Sequence, residues 1–237
     1  MPDFMKKGKY LYTTVTMVNF FETKDQADSA NKAETALAKP RVYKKQLEEI
    51  EKETGHKIFT ILQLRLHPAI IALKKQIDEA PAGTKHEVDL QYITSRGHWY
   101  HASWKGDIQK SGGIATNIGV HFFDMLIWIF GDVKESNVTQ HTDVTASGKL
   151  QLEKATVNWM LSIDVETLPA SVKTTGKRTY RTLTINKQAI EFSDGFTELH
   201  TKSYEEILNG NGFRISETIK AIELVHNIRN SKVYTKQ

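Results

Sequence analysis

Apolar and polar positions divide the chain into three regions. At the start, Tyr10 to Phe21 (YLYTTVTMVNFF) is rich in β-branched and aromatic residues and predicts a strand. Thr23 to Pro40 is polar and alanine-rich, with no strong apolar period, and reads as a helix or a loose linker. The second region is sharper. Arg41 to Thr54 is predicted as a helix with Val42, Leu47 and Ile50 turned inward and Gly55 as its stop. Lys57 to Leu64 (KIFTILQL) reads as a buried strand, and Pro68 opens a helix to about Glu79 that buries Ile70, Ile71, Leu73 and Ile77. His86 to Thr94 alternates with period two, the mark of a half-buried strand. A polar, aromatic loop over Arg96 to Asp107 leads into one long apolar helix, Ser111 to Phe130, closed by Gly131. In the third region, VTQHTDV, KLQLEK, ATVNWMLSIDVE and RTLTIN are successive strands, with Asn186-Lys187 as a hairpin turn before QAIEFS. Two helices close the chain, Glu198 to Leu208 and Ser216 to Asn230, with Ser216 as N-cap.

Helices first and last with consecutive strands between them predict an α+β fold, a large, mostly antiparallel open sheet with helices on one face. The other face then needs a cover, and a second copy of the chain supplies it, so a homo-oligomer through the open sheet face is expected. Composition narrows the function. With 237 residues, 39% hydrophobic and 25% charged, the chain can bury a substantial core. There is no cysteine, which excludes disulfides, zinc-thiolate sites and cysteine nucleophiles. The net charge of +4 is scattered, with no basic stripe interleaved with aromatics, so nucleic acid is not an expected partner. No apolar run reaches the roughly 20 residues that span a membrane, and MPDFMKKGKY has no apolar core of a signal peptide; the expected location is cytoplasmic.

The long helix carries the chemistry. In an unbroken helix, Asn117, His121 and Asp124 share one side at i, i+4 and i+7. Their neighbours are apolar, and polar groups in such surroundings need partners, because an unpaired one costs about 1–3 kcal/mol. Two readings stand. The three bond one another and nearby backbone as a structural network, or they form a proton-transfer site. In the second, the imidazole accepts a proton from a hydroxyl and the carboxylate orients the ring. Ser111-Gly112-Gly113 ahead of the helix would bring backbone close to a ligand and make a modest anion site. No second histidine-rich segment completes a metal set, so no metal is expected.

GGIATNIGVHFFD resembles the G-G-G-x-x-x-D-x-G-x-H-x-x-D segment of the Gfo/Idh/MocA oxidoreductases, and LAKPRVYKKQLEEIEKETGHKI resembles that family's E-K-P segment and the helix after it. TILQLRLHPAIIALK, the run from YITSRGHWY to WIFGDV, and KRTYRTLTI are similar to a narrower group, the bacterial UDP-N-acetyl-glucosaminuronate 3-dehydrogenases of lipopolysaccharide and O-antigen sugar synthesis. The resemblance covers about residues 38–230. It implies a Rossmann domain followed by an α+β domain, hydride transfer from a sugar carbon to NAD, and an acid/base pair at Lys39 and His121, with Asp124 at the closing aspartate of the motif. Asn117 stands where many family members have aspartate, and follows the narrower group, which has asparagine there. A UDP-sugar acid would present a diphosphate and a carboxylate, which suit Arg forks, lysine and polar aromatics. Arg65, His67, Arg96, Trp99, Tyr100, Trp104, Lys105 and Asn117 are the candidate substrate contacts.

The resemblance is incomplete at its start. No G-x-G-x-x-G occurs, residues 1–38 hold one glycine, Gly8, and Ala38 replaces the glutamate of E-K-P. Residues 1–38 are therefore expected to be a remnant or replacement of the cofactor domain, possessing a strand and a linker, and residues 39–237 the substrate and catalytic domain. The expectation is a truncated dehydrogenase without its own dinucleotide site, either a degenerate product or a domain that works with a separate cofactor-domain chain holding NAD. The alternative is a non-catalytic sugar-nucleotide-binding or oligomeric structural protein.

Overall fold

The computed structural model describes residues 10–13, 40–192 and 198–233. Its centre is a six-stranded sheet in the order β4-β5-β6-β3-β7-β8. The strands are β3 (His86–Thr94), β4 (Val133–His141), β5 (Thr145–Leu152), β6 (Ala155–Ser162), β7 (Thr179–Ile185) and β8 (Gln188–Ala189). β3 runs parallel to β6, and the other pairs are antiparallel, so the expected mostly antiparallel sheet is present. A parallel neighbour requires a crossover, and the helical segment after β3 supplies it. Asn186 and Lys187 turn β7 into β8 at φ 50 and 67, the left-handed pair a two-residue hairpin demands.

The period-two pattern decides which face is covered. Val88 and Leu90 of β3, Val157, Trp159 and Leu161 of β6, and Leu183 of β7 all point to one side and are almost fully buried. They share one core with helices α2 (Pro68–Glu79) and α3 (Val120–Phe130), through Ile70, Leu73, Phe123, Met125 and Phe130. Each such side chain contributes about 1.5–3 kcal/mol by leaving water. The intervening residues face the other way and are polar. Glu87, Asp89, Lys149 and Asn158 are exposed, and Asn158 donates to Asp89 at 3.0 Å. The open face is thus not the apolar surface the oligomer expectation assumed. Any partner there must match charges and hydrogen bonds.

A second helical layer lies behind α3. Helices α4 (Leu199–Leu208) and α5 (Ile215–Arg229) follow the sheet, and α5 packs on α3 and on α1 (Pro40–Thr54). A separate parallel pair joins β1 (Tyr10–Thr13) to β2 (Lys57–Thr60). Glu51 ties this layer together, accepting from the Ile58 amide at 2.6 Å and from Arg214 Nη2 at 2.7 Å.

Several sequence expectations need correction. Ile50 and Ile71 point outward, 45% and 48% exposed. The strand at Lys57 ends at Thr60, where its pairing with Thr13 ends, and the chain then coils into a 3-10 turn over Gln63–Leu66. The Arg96–Asp107 loop is wound into short turns, His98–Ala102 and Trp104–Gly106. Ser216 lies inside the first turn of α5 and does not cap it; Glu217 Oε2 closes that end by accepting from the Arg214 amide at 2.8 Å. The strand expected beyond Thr13 and the segment Thr23 to Lys39 lie outside the described residues.

Candidate active site

The segment read as one helix from Ser111 to Phe130 is three pieces. A short helix, Ile108–Ser111, stops at Gly112 and Gly113, whose φ of 75 and 77 is a conformation L side chains rarely adopt. A π turn follows over Ala115–Gly119, and α3 then begins at Val120. π turns are rare and concentrate at functional sites. Here Gly119 permits close approach of helix to sheet: a Cβ on it would stand 2.7 Å from Leu161 Cδ1 and from Phe123. The glycine amides are not free for an anion. Gly112 N–H donates to Ile108 O at 3.0 Å and Gly113 N–H to Ser111 Oγ at 3.1 Å.

The break re-aims the three polar residues, and each has a different fate. Asn117 sits in the π turn and donates through Nδ2 to the Tyr100 hydroxyl at 2.9 Å. Asp124, 1% exposed, takes a bidentate fork from Arg65, Nε to Oδ2 at 2.7 Å and Nη2 to Oδ1 at 2.5 Å. Arg65, 5% exposed, also donates to Glu217 O at 3.2 Å and stacks on Phe213. Burial pushes the Asp124 carboxyl up to about 6, while the Arg65 bonds pull it down. The carboxylate that was expected to orient His121 is thus committed to Arg65, and Arg65, expected at the substrate, joins α3 to α5, by the buried ion pair on one side and the bond to the Glu217 carbonyl on the other. His121 is half-buried in the first turn of α3 with its Nδ1 sealed and without a hydrogen-bond partner. Burial, then the charge of His200 on α4, pushes its ring down to about 4, so it is neutral at pH 7.

The other candidates divide between rim and scaffold. His67 caps α2, its Nδ1 accepting from the Ala69 amide at 3.2 Å. Tyr100 is buried, which raises its hydroxyl pKa. Arg96 is exposed just past the end of β3, near enough to Tyr100 to act on it electrostatically. Trp104 is 39% exposed with the Lys105 ammonium over its ring. Trp99 contributes backbone to the His98–Ala102 turn, and Lys39 lies outside the described residues. Sequence reasoning missed a row of aromatic and basic residues that packs against Phe122 of α3. Tyr92 stacks on Phe122 at 4.9 Å, Arg181 lies over Tyr92 and Phe192, and the Phe192 ring meets His67 edge-on. The signal was present in the alternation of β3 and β7, which places Tyr92 and Arg181 opposite each other on the covered face.

Among the described residues no three His, Asp or Glu side chains gather as a metal set, and no helix is long and apolar enough to cross a membrane. A groove of about 650 Å³ lies between β4 and α5, lined by Asp132, Asn137, Lys220 and Asn227 among others. It opens at the C-terminal end of α3, about 14 Å of helix away from His121.

A mostly antiparallel open sheet, covered by a glycine-broken helix that carries a histidine in its first turn, is the architecture of an oxidoreductase C-terminal alpha/beta domain. The sequence model of the oxidoreductase family's C-terminal alpha/beta domain matches residues 74–161. The WlbA (WbpB) dehydrogenase of Thermus thermophilus, in complex with NAD and UDP-GlcNAcA, superposes with a TM-score of 0.80 at 35% identity, over 99% of this chain and 77% of that one. The same dehydrogenase with NAD and alpha-ketoglutarate gives 0.77 at 42% identity, over 84% of this chain and 63% of that one. WlbA from Bordetella pertussis, at 16% identity and a TM-score of 0.65 over 95% of this chain and 78% of that one, shares the fold. The chain belongs to the Gfo/Idh/MocA oxidoreductase family.

Proposed function

We propose that this chain is the substrate side of an NAD-dependent dehydrogenase acting on a UDP-sugar acid of the UDP-GlcNAcA type, in lipopolysaccharide or O-antigen sugar synthesis. The observation that carries this reading is the likeness, at 35% identity over 99% of the chain, to a dehydrogenase crystallised with NAD and UDP-GlcNAcA. The neutral, half-sealed imidazole of His121 is the proton acceptor for a sugar hydroxyl, and Asn117 with Tyr100 braces the turn before it. Lys39 is its proposed partner in proton transfer, and Arg96, Trp104 and Lys105 form the rim that meets the nucleotide.

The coenzyme does not fit the described residues. A dinucleotide needs a glycine-rich turn between a strand and a helix in a parallel sheet. The sequence has no G-x-G-x-x-G, and the separate parallel sheet among the described residues is the β1–β2 pair. The proposal therefore assigns NAD to residues other than the described ones. A homo-oligomer through the polar sheet face belongs to the same reading.

Calorimetric titration of the 237-residue protein with UDP-GlcNAcA and, separately, with NAD tests it. Heat is expected with the sugar nucleotide and none with NAD. A silent titration with UDP-GlcNAcA would overturn the substrate assignment, and heat with NAD would overturn the assignment of the coenzyme elsewhere. A pure binding module is favoured if the added cofactor-domain half of WlbA restores no hydride transfer.

A further inference from the structure

We infer that Asn211 is a self-modifying site, whose side-chain amide is attacked by the main-chain nitrogen of Gly212 and converted to aspartate and isoaspartate in the folded protein. This chemistry depends on the turn between α4 and α5 and is independent of the sugar-nucleotide reading.

The turn carries the same dipeptide twice, Asn209-Gly210 and Asn211-Gly212, in the run LNGNGF. Glycine after asparagine presents no Cβ to hinder the approach of its nitrogen to the amide carbon, so both pairs have the intrinsic reactivity. The fold separates them. Asn209 is the C-cap of α4 in a helical conformation, φ -80 and ψ -2, its own N–H donating to Glu205 O at 2.9 Å. The nitrogen that would attack it, Gly210 N–H, donates to Ile207 O at 3.0 Å. Attack at Asn209 must therefore first open the end of the helix. Asn211 is exposed, its main-chain N–H anchored on Glu206 O at 2.7 Å. Among the described residues neither its side-chain amide nor the Gly212 N–H has a hydrogen-bond partner. Leaving group, attacking nitrogen and water thus meet at Asn211 and not at its twin.

The step needs water and no oxidant or cofactor. Gly212 N bonds to Asn211 Cγ as Nδ2 departs as ammonia, taking the proton of the Gly212 amide, and a succinimide closes. Water then opens the ring. Breaking the bond from nitrogen to Cγ leaves aspartate. Breaking the bond from nitrogen to the Asn211 main-chain carbonyl carbon leaves isoaspartate, in which the chain runs on through Cβ and Cγ.

Both products press on the layer behind α3. Either adds a carboxylate close to Glu205 and Glu206 at the C-terminal end of α4, where the helix dipole already disfavours negative charge. Isoaspartate also lengthens the main chain just ahead of Gly212, which has no slack: a Cβ there would overlap Ile207 Cγ1 and stand 2.7 Å from Phe59 Cδ1. The next residue, Phe213, accepts the Thr60 N–H on its carbonyl at 2.9 Å and carries the Arg65 guanidinium against its ring. The change therefore reaches β2 and the Arg65–Asp124 pair.

The test is storage of the whole protein in warm, mildly alkaline buffer, then tryptic mapping of the 203–214 peptide with fragment ions locating the new acid, and the same incubation in urea as reference. In the folded protein Asn211 should convert at least about tenfold faster than Asn209, and in urea the two rates should converge, because the folded chain alone distinguishes them. N211Q should abolish the fast conversion, and N209Q should leave it unchanged. Equal rates in the folded protein, or an Asn209 that reacts first, overturn the inference, as does an Asn211 that stays intact when folded while the unfolded chain reacts. The converted fraction, separated by anion exchange, should have a lower urea midpoint than N211D, which adds the charge without the extra main-chain carbon. A midpoint equal to that of N211D overturns the main-chain effect, and one equal to that of the unaltered protein overturns both effects.

Discussion

At the scale of single residues, the site turns on which partner each polar group finds. Asp124 and Arg65 are 59 positions apart and nearly sealed from water. Removing one partner leaves a buried charge uncompensated, so D124N should lose about 3–5 kcal/mol in urea denaturation, while the apolar double variant R65M/D124L should recover most of it. His121 links stability to acidity. Its folded-state value of about 4 lies below the ordinary 6.5 of a free imidazole, so the unfolded chain binds the proton more tightly. The stabilisation is complete above about pH 6.5 and is lost as pH falls toward 4, to the extent of about 3 kcal/mol. His86 and His141, also lowered by burial, add in the same direction. Asp124, raised to about 6, opposes it, because its folded form takes up a proton more readily. H121Q should therefore lose less stability between pH 7 and 4.5 than the unaltered protein, by chemical denaturation at each pH. The residue types at the site were legible in the motif. The pairing of Asp124 was not, because a helical period says which side a carboxylate faces and nothing about an arginine brought in from another segment.

At the scale of elements, legibility followed the strength of the local signal. His86–Thr94 and Pro68–Glu79 have the bounds that alternation and a proline at the first helical position imply. The Asn186-Lys187 turn was likewise written in its residues. The long helix was misread because apolar residues recur at helical spacing from Ile114 to Phe130, and an apolar period does not register one extra residue in a turn. Gly112, Gly113 and Gly119 are where the break can be tested. G112A must place a Cβ 2.8 Å from the Thr116 side chain at φ 75, and G119A must push Leu161 or Phe123 aside. Each should lower the unfolding free energy by about 1–3 kcal/mol in chemical denaturation. G119A should in addition weaken UDP-GlcNAcA binding, since it moves the turn that holds Asn117.

At the scale of the whole molecule, the fold class was legible and the function of the open face was not. Strand alternation fixed a covered side and a bare side, yet Asp89, Lys149 and Asn158 make the bare side polar, which removes the apolar reason for a second copy. Ligand binding gives a global readout of the proposed substrate. At about a hundred times its dissociation constant, UDP-GlcNAcA should add about 2.7 kcal/mol to unfolding free energy, visible as a raised melting temperature, and NAD alone should add none.

The position of β3 has a consequence for how the molecule forms. Its neighbours are β6, with Asp89 and Asn158 in contact at 69 residues' separation, and β7, with Thr94 and Thr179 at 85. A nascent chain therefore carries its most central strand unpaired until the meander β4-β5-β6 has been synthesised and has swung back beside it. Such long-range closure slows folding and leaves an apolar edge open to chaperones in the interval.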